Sequence, residues 1–129
     1  MPLDLIMVVD DDTDLRELYA DSLKIEGFNV QAFPSTNEAL DEISDNPRKY
    51  RLVISDVMME HMNGSTLANK IKEINKDIGV ILTSGFDYSA MDLSHSHYDR
   101  FVQTPVTMAE LLSTVNEVLQ ISPKVELRN

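Results

Sequence analysis

Short apolar runs alternate with amphipathic stretches five times along the chain. Apolar runs of this length, bounded by turn-forming residues, are typical of strands buried in a sheet. The predicted strands span residues 3–9, 28–33, 51–55, 79–83 and 98–103.

The stretches between the predicted strands carry apolar residues at the spacing of one helical face. The first helix is capped by Asp12 or Thr13 and stopped by Gly27. Its predicted inner face is lined by Leu15, Leu18, Tyr19 and Leu23.

Later helices follow the same rule with one exception. The third helix begins after Gly64 and places Lys72 on its outer face, and the last helix spans residues 107–120. Residues 86–99 are rich in Asp, Ser and His, so we expect a short or distorted fourth helix there.

Regular alternation of strands and helices predicts an α/β fold, a doubly wound parallel sheet with helices on both faces. A length of 129 residues predicts one domain. We expect that domain to occupy residues 1–120, with residues 121–129, which include Pro123, as a C-terminal tail or the start of a linker.

Polar residues follow the strands at the carboxyl edge of the predicted sheet, where such folds bind ligands. Asp10 and Asp11 follow the first strand and Asp56 follows the third. Ser84 follows the fourth strand and Thr104 the fifth. The topology therefore predicts one acidic site with hydroxyl groups beside it.

Composition restricts the partners of that site. The chain has 22 acidic and 11 basic residues and a net charge of -11, which argues against nucleic acid and an anionic membrane surface as partners. It has no cysteine, which excludes disulfides and thiolate metal sites. It shows neither a signal peptide nor an apolar run of about 20 residues. We expect a cytoplasmic protein.

Five motifs in order resemble the receiver domain of two-component response regulators, over residues 3–119. The resemblance implies a flavodoxin-like sheet of order 2-1-3-4-5, the order of the chemotaxis regulator. The motifs are Val8-Val9-Asp10-Asp11, Val53-Ile54-Ser55-Asp56, Asn63-Gly64, Leu82-Thr83-Ser84-Gly85 and Phe101-Val102-Gln103-Thr104-Pro105.

The resemblance implies a role for each matching residue. Asp56 is expected to accept a phosphoryl group and become an aspartyl phosphate. Asp10, Asp11, Asp56 and the backbone carbonyl of Met58 are expected to hold Mg²⁺, which prefers oxygen ligands. Ser84, preferred over the adjacent Thr83, is expected to donate its hydroxyl to a phosphoryl oxygen.

Strand five carries two further implied features. Phe101 occupies the position of an aromatic residue that changes rotamer with that hydroxyl. Thr104 stands where the family has Lys, immediately before Pro105. The loss of this charge leaves a second interpretation open, a phosphorylation-independent protein-interaction module on the receiver fold.

The implied partners are a sensor histidine kinase or a phosphotransfer protein, and a downstream protein that the sequence does not identify. The implied function is signal transduction by a phosphoprotein, not catalysis with turnover. A homodimer through the face formed by the fourth helix, fifth strand and fifth helix is also implied.

Other chemistries fit the acidic run less well. Asp10 and Asp12 form a D-x-D motif like that of haloacid-dehalogenase phosphatases, but Asp14 stands where that motif has Thr or Val. A calcium loop would need Gly where Leu15 stands. Helix capping and a favourable position near the helix dipole explain Asp12 and Asp14 more simply.

Two smaller features complete the prediction. His95 and His97 have no obvious third metal ligand and are expected to be solvated surface residues. Met58 and Phe86 each lie two residues after a site residue, Asp56 and Ser84. Their apolar bulk is expected to hinder a hydrolytic water and slow the loss of the phosphoryl group.

Overall fold

The computed structural model describes residues 5–59, 62–85, 93 and 97–121. They form a five-stranded parallel sheet of order β2-β1-β3-β4-β5 with helices on both faces, which confirms the predicted flavodoxin-like fold. The elements are β1 (Leu5–Val9), α1 (Thr13–Ile25), β2 (Asn29–Phe33), α2 (Thr36–Asp45), β3 (Leu52–Asp56), α3 (Gly64–Ile74), β4 (Gly79–Ser84), β5 (Arg100–Gln103) and α4 (Met108–Ile121).

Two hydrophobic cores fill the space between the sheet and its helices, because successive strand residues point to opposite faces. On one face Met7, Val53 and Leu82 pack with residues of α2 and α3. On the other face Ile6 and Ile54 pack with residues of α1 and α4. The helical residues in these cores include Ala39, Ile43, Leu67, Ile71, Tyr19, Leu23, Leu111 and Val115.

Side-chain caps begin α1 and α3 near the acidic site, and a glycine ends α1 at the opposite edge of the sheet. Asp12 caps α1 by accepting the backbone N–H groups of Asp14 and Leu15. Gly27 follows α1 with a φ of 101°, a conformation that favours glycine. Asn63 caps α3 by accepting the N–H of Thr66 at 2.9 Å. Of the two predicted caps, Asp12 is the residue that caps α1 and Thr13 is the first residue of the helix, and the predicted stop at Gly27 is confirmed.

Two predicted side-chain orientations are wrong. Leu18 is 50% exposed because, at about 100° per residue, it lies to one side of the stripe formed by Tyr19 and Leu23. Lys72 does not point into solvent. Its Nζ lies 2.9 Å from Asp99 Oδ2 and donates to the carbonyl of Ile78 at 2.6 Å, because its long side chain reaches the edge of the sheet.

Several predicted boundaries move by one or two residues. Asp56 and Ser84 are the last residues of β3 and β4 rather than the first loop residues. Most of the predicted helix at 86–99 lies outside the described residues, as do residues 122–129, so the division at residue 120 stays a prediction. Within the described part of the chain, no helix is long and apolar enough to cross a membrane.

Candidate functional site

Three carboxylates meet at the carboxyl edge of the sheet. Asp10 directly follows β1, Asp56 ends β3, and the two strands are neighbours with Val9 paired to Ser55. Asp11 follows Asp10, and one carboxylate oxygen from each of the three residues lies within 4.8 Å of the others. Asp10 is 2% exposed, Asp56 is half-buried and Asp11 is exposed. The predicted acidic cluster is therefore present.

Burial and mutual repulsion disfavour the ionised carboxylates. Burial raises the pKa of Asp10 to about 6, and the charges of Asp56 and Asp11 add to this effect. A hydrogen bond from the Asp12 backbone N–H to Asp10 Oδ1, at 2.9 Å, acts in the opposite direction. Burial also raises the pKa of Asp56, with Asp11 adding repulsion and the Met58 N–H opposing it. A bound cation would relieve both shifts.

The donor chemistry of this cluster fits Mg²⁺. All three side chains offer carboxylate oxygens, which a small, hard cation prefers. A cluster open to solvent on the side of Asp11 also leaves room for the waters that Mg²⁺ retains. Met58, whose backbone carbonyl is the predicted fourth donor, belongs to the loop that leaves Asp56, and its N–H donates to Asp56 Oδ1 at 3.2 Å.

The loop between β3 and α3 begins with a tight closure. The Val57 N–H donates to the carbonyl of Thr83 at 2.8 Å, and the Val57 carbonyl accepts the N–H of Gly64 at 2.9 Å. A Cβ on Gly64 would lie 2.9 Å from the carbonyl carbon of Asp56. Only glycine permits this approach, so the Asn63-Gly64 motif brings the start of α3 against the acidic site.

The end of β4 connects the acidic site to strand five. Thr83 pairs in register with Asp56, and Ser84 pairs with Gln103. Both hydroxyl residues are buried, and neighbouring strand residues point to opposite faces of the sheet. The carbonyl of Ser84 accepts the N–H of Thr104 at 2.8 Å. The backbone of Ser84 is therefore hydrogen-bonded to the backbone of Thr104, the residue that stands in place of the expected Lys.

Comparison with known families gives this geometry its context. Residues 6–116 match the family described as the response regulator receiver domain. The chain belongs to this family. Receiver domains are signalling modules of two-component systems whose general function is phosphorylation on an aspartate, and they generally bind Mg²⁺ at an acidic pocket.

Similar proteins carry the receiver domain in different settings. The 3′,5′-cyclic-nucleotide phosphodiesterase regA of Dictyostelium discoideum is 34% identical over 120 residues, covering 89% of this chain and 15% of that protein. The transcriptional regulatory protein CpxR homolog of Haemophilus influenzae is 30% identical over 118 residues, covering 91% of this chain and 51% of that protein. The chain thus spans about half or less of these relatives.

A solved response regulator structure is similar to this fold over most of the chain. The crystal structure of response regulator protein TrrA from Thermotoga maritima, in complex with Mg²⁺ and BeF, has a TM-score of 0.81 and 29% identity. The match covers 90% of this chain and 99% of the TrrA chain.

Strand five of this receiver domain carries the predicted aromatic and the predicted substitution. Phe101 is half-buried, pairs with Leu82, and packs against the core on the α2 and α3 face. Thr104 is half-buried and precedes Pro105 through a cis peptide bond. Thr104 places a short neutral hydroxyl, without a charge, beside the end of β4.

One cation near the acidic site was not predicted. Arg16 donates from Nη1 to the backbone carbonyl of Asp10 at 2.8 Å, and its Nη2 lies 3.5 Å from the hydroxyl of Thr13. The sequence does contain a signal, since Arg16 is one turn after the capping residue Asp12 and can reach back over the first turn. Its guanidinium places a positive charge beside the backbone carbonyl of Asp10.

The remaining predicted residues lie apart from the cluster or cannot be placed. His97 is exposed, and its backbone N–H donates to Asn69 Oδ1 at 2.6 Å. His95 and Phe86 lie outside the described residues.

Proposed function

We propose that Asp56 accepts a phosphoryl group from a phosphohistidine of a sensor histidine kinase or a phosphotransfer protein. The observation that carries this proposal is the convergence of the Asp10, Asp11 and Asp56 carboxylates within 4.8 Å in a receiver fold. Asp56 is half-buried at the end of β3, whereas Asp10 is buried. Of these two carboxylates, Asp56 is therefore the one that a phosphoryl donor can reach.

The transfer is a displacement at phosphorus. One carboxylate oxygen of Asp56 forms the new O–P bond while the N–P bond of the phosphohistidine breaks. The imidazole nitrogen keeps the electron pair of the broken bond and takes a proton from water. Asp56 must be ionised to attack, although its pKa is raised by burial. Mg²⁺ held by Asp10, Asp11, Asp56 and the Met58 carbonyl would reduce the repulsion between Asp56 and the phosphoryl group.

The phosphoryl group would then change contacts at the ends of β4 and β5. Ser84 would donate its hydroxyl to a phosphoryl oxygen, and Phe101 would respond by changing rotamer. In this proposal the domain acts as a cytoplasmic phosphoprotein that signals through protein contacts, with β5 and α4 on its homodimer surface; the predicted fourth helix of that surface lies largely outside the described residues.

One observation favours a second function. Thr104 cannot supply the fixed positive charge that the family Lys brings to the phosphoryl group. The alternative is a protein-interaction module that uses the receiver fold without phosphorylation. The two functions differ in whether a phosphoryl group at the acidic site changes the conformation of β5.

Titration with beryllofluoride and Mg²⁺, followed by amide and aromatic NMR, distinguishes the two functions. The proposed function predicts saturable, Mg²⁺-dependent shifts at Asp56, Ser84 and Phe101. Asp56→Asn should abolish these shifts, and Asp21→Asn, at an exposed position of α1, should leave them unchanged. Shifts confined to Asp10, Asp11 and Asp56 with Mg²⁺ alone would favour the interaction module.

A further inference from the structure

A buried hydroxyl connects α2 to the loop that follows Asp56. Thr36, the first residue of α2, is fully buried. Its Oγ1 donates to the backbone carbonyl of Met62 at 2.9 Å, across a separation of 26 residues in sequence. The preceding residue, Ser35, caps α2 through the N–H of Glu38, so the hydroxyl of Thr36 can bond the loop instead of the helix.

The Thr36–Met62 bond lies close in sequence to two backbone bonds that hold Val57 to β4 and Gly64 to Val57. Val57 is held by the carbonyl of Thr83, and Gly64 returns to the carbonyl of Val57. The side chains of Met59 and Met62 are partly buried against the core on the α2 and α3 face. Thr36 adds a directional polar contact at Met62, where apolar packing alone would permit small shifts of the backbone.

We propose that Thr36 is a positioning residue for the acidic site and acts through Met62 and Gly64, whose N–H bonds back to Val57, the residue before Met58. The inference rests on the proposed function, because it concerns the Met58 carbonyl as a metal donor. A backbone carbonyl has no rotamer of its own, so the backbone conformation at Val57 and Met58 decides where the Met58 carbonyl points. Removal of the Thr36 hydroxyl leaves the Met62 carbonyl without that donor, which favours a shift of the Met62 backbone toward water.

The test is the dissociation constant for Mg²⁺, measured by amide NMR titration of the full chain. Thr36→Val keeps the volume and the branching and removes the hydroxyl. It should raise the Kd by about two- to tenfold, no more than the loss of a direct partner of a metal ligand causes, because Thr36 bonds Met62 and not Met58. Thr36→Ser keeps the hydroxyl and should bind Mg²⁺ as the wild type does. Thr114→Val removes a similar hydroxyl bond, to the carbonyl of Glu110 in α4, and should leave the Kd unchanged.

Each outcome separates this inference from the function on which it rests. An unchanged Kd in Thr36→Val overturns the inference, even where urea unfolding shows a loss of stability, because the hydroxyl is then only structural. Absence of Mg²⁺ binding in the wild type overturns the proposed function and the inference together. Should Thr36→Val fail to fold, Thr36→Ala compared with Thr36→Ser gives the same contrast, with the Kd raised only in Thr36→Ala.

Discussion

Gly64 lies so close to Asp56 that a Cβ on residue 64 would overlap the backbone carbonyl oxygen of Asp56. The start of α3 and the end of β3 are thus in direct backbone contact. This contact fixes the backbone beside the carboxylate that we propose as the phosphoryl acceptor.

Gly64→Ala should therefore destabilise the protein by about 2–3 kcal/mol, since the clash is with rigid backbone. Gly85→Ala is the matched control at the same end of the sheet, where an added Cβ would be 3.7 Å from its nearest neighbour, Thr104 Oγ1. It should cost under about 1 kcal/mol. Urea unfolding measures both values, and equal losses would contradict the contact.

Asp10→Asn should stabilise the metal-free protein in a pH-dependent way. The pKa of Asp10 is raised to about 6, so from about pH 4 to pH 6 the folded state binds more protons than the unfolded state. The contribution of Asp10 to stability therefore falls as the pH rises, by about 2–3 kcal/mol in total. Asn keeps the acceptor for the Asp12 N–H and removes the charge.

Urea unfolding in EDTA tests this prediction at two pH values. The free energy of unfolding of Asp10→Asn should exceed that of the wild type by about 2–3 kcal/mol near pH 7.5 and should be nearly equal to it near pH 4. Asp21→Asn, an exposed substitution, should stay within about 0.5 kcal/mol at both. A gain of the same size at both pH values would contradict the assigned pKa.

Thr104→Lys should speed phosphorylation by acetyl phosphate at least about tenfold, because a fixed cation stabilises the charge that develops on the transferred group. The backbone N–H of residue 104 still bonds the Ser84 carbonyl in this variant. Thr104→Gln, long but neutral, is the control and should match the wild type. Equal phosphorylation rates for Thr104→Lys and Thr104→Gln would show that a positive charge at residue 104 does not speed the transfer.

Met58→Asn should accelerate loss of the phosphoryl group, by about threefold or more. Met58 is 53% exposed two residues after Asp56, so its apolar side chain can cover the approach of water, whereas Asn can hydrogen-bond a water there. Ile25→Gln replaces another exposed apolar residue, at the end of α1, and should leave the half-life unchanged. Equal half-lives for Met58→Asn and the wild type would exclude this shielding.

Periodicity and strand ends were enough to predict the sheet and the acidic cluster. Buried parallel strands must end at one edge, so the sequence pattern alone places Asp10 and Asp56 at the same edge of the sheet. The order of the strands came from the resemblance to receiver domains. The role proposed for Thr104 stays a prediction, because no described contact tests it.

Features that depend on helix rotation or on side-chain reach could not be predicted. Leu18 fits the apolar spacing of α1 but is half exposed to solvent. The spacing of apolar residues predicts the buried face of a helix only approximately, and the packing decides which residues lie at its margin. The side chain of Lys72 extends to the backbone carbonyl of Ile78, a contact that the helical pattern of α3 does not indicate. The bond from Thr36 to Met62 joins two segments that neither local pattern relates.

The most direct test is the intact mass of the protein after incubation with acetyl phosphate, with Mg²⁺ or with EDTA. We expect a gain of one phosphoryl group that requires Mg²⁺, occurs in the wild type and in Asp21→Asn, and is lost in Asp56→Asn. No gain under conditions that phosphorylate an ordinary receiver domain, or an equal gain in Asp56→Asn, would contradict phosphorylation at Asp56.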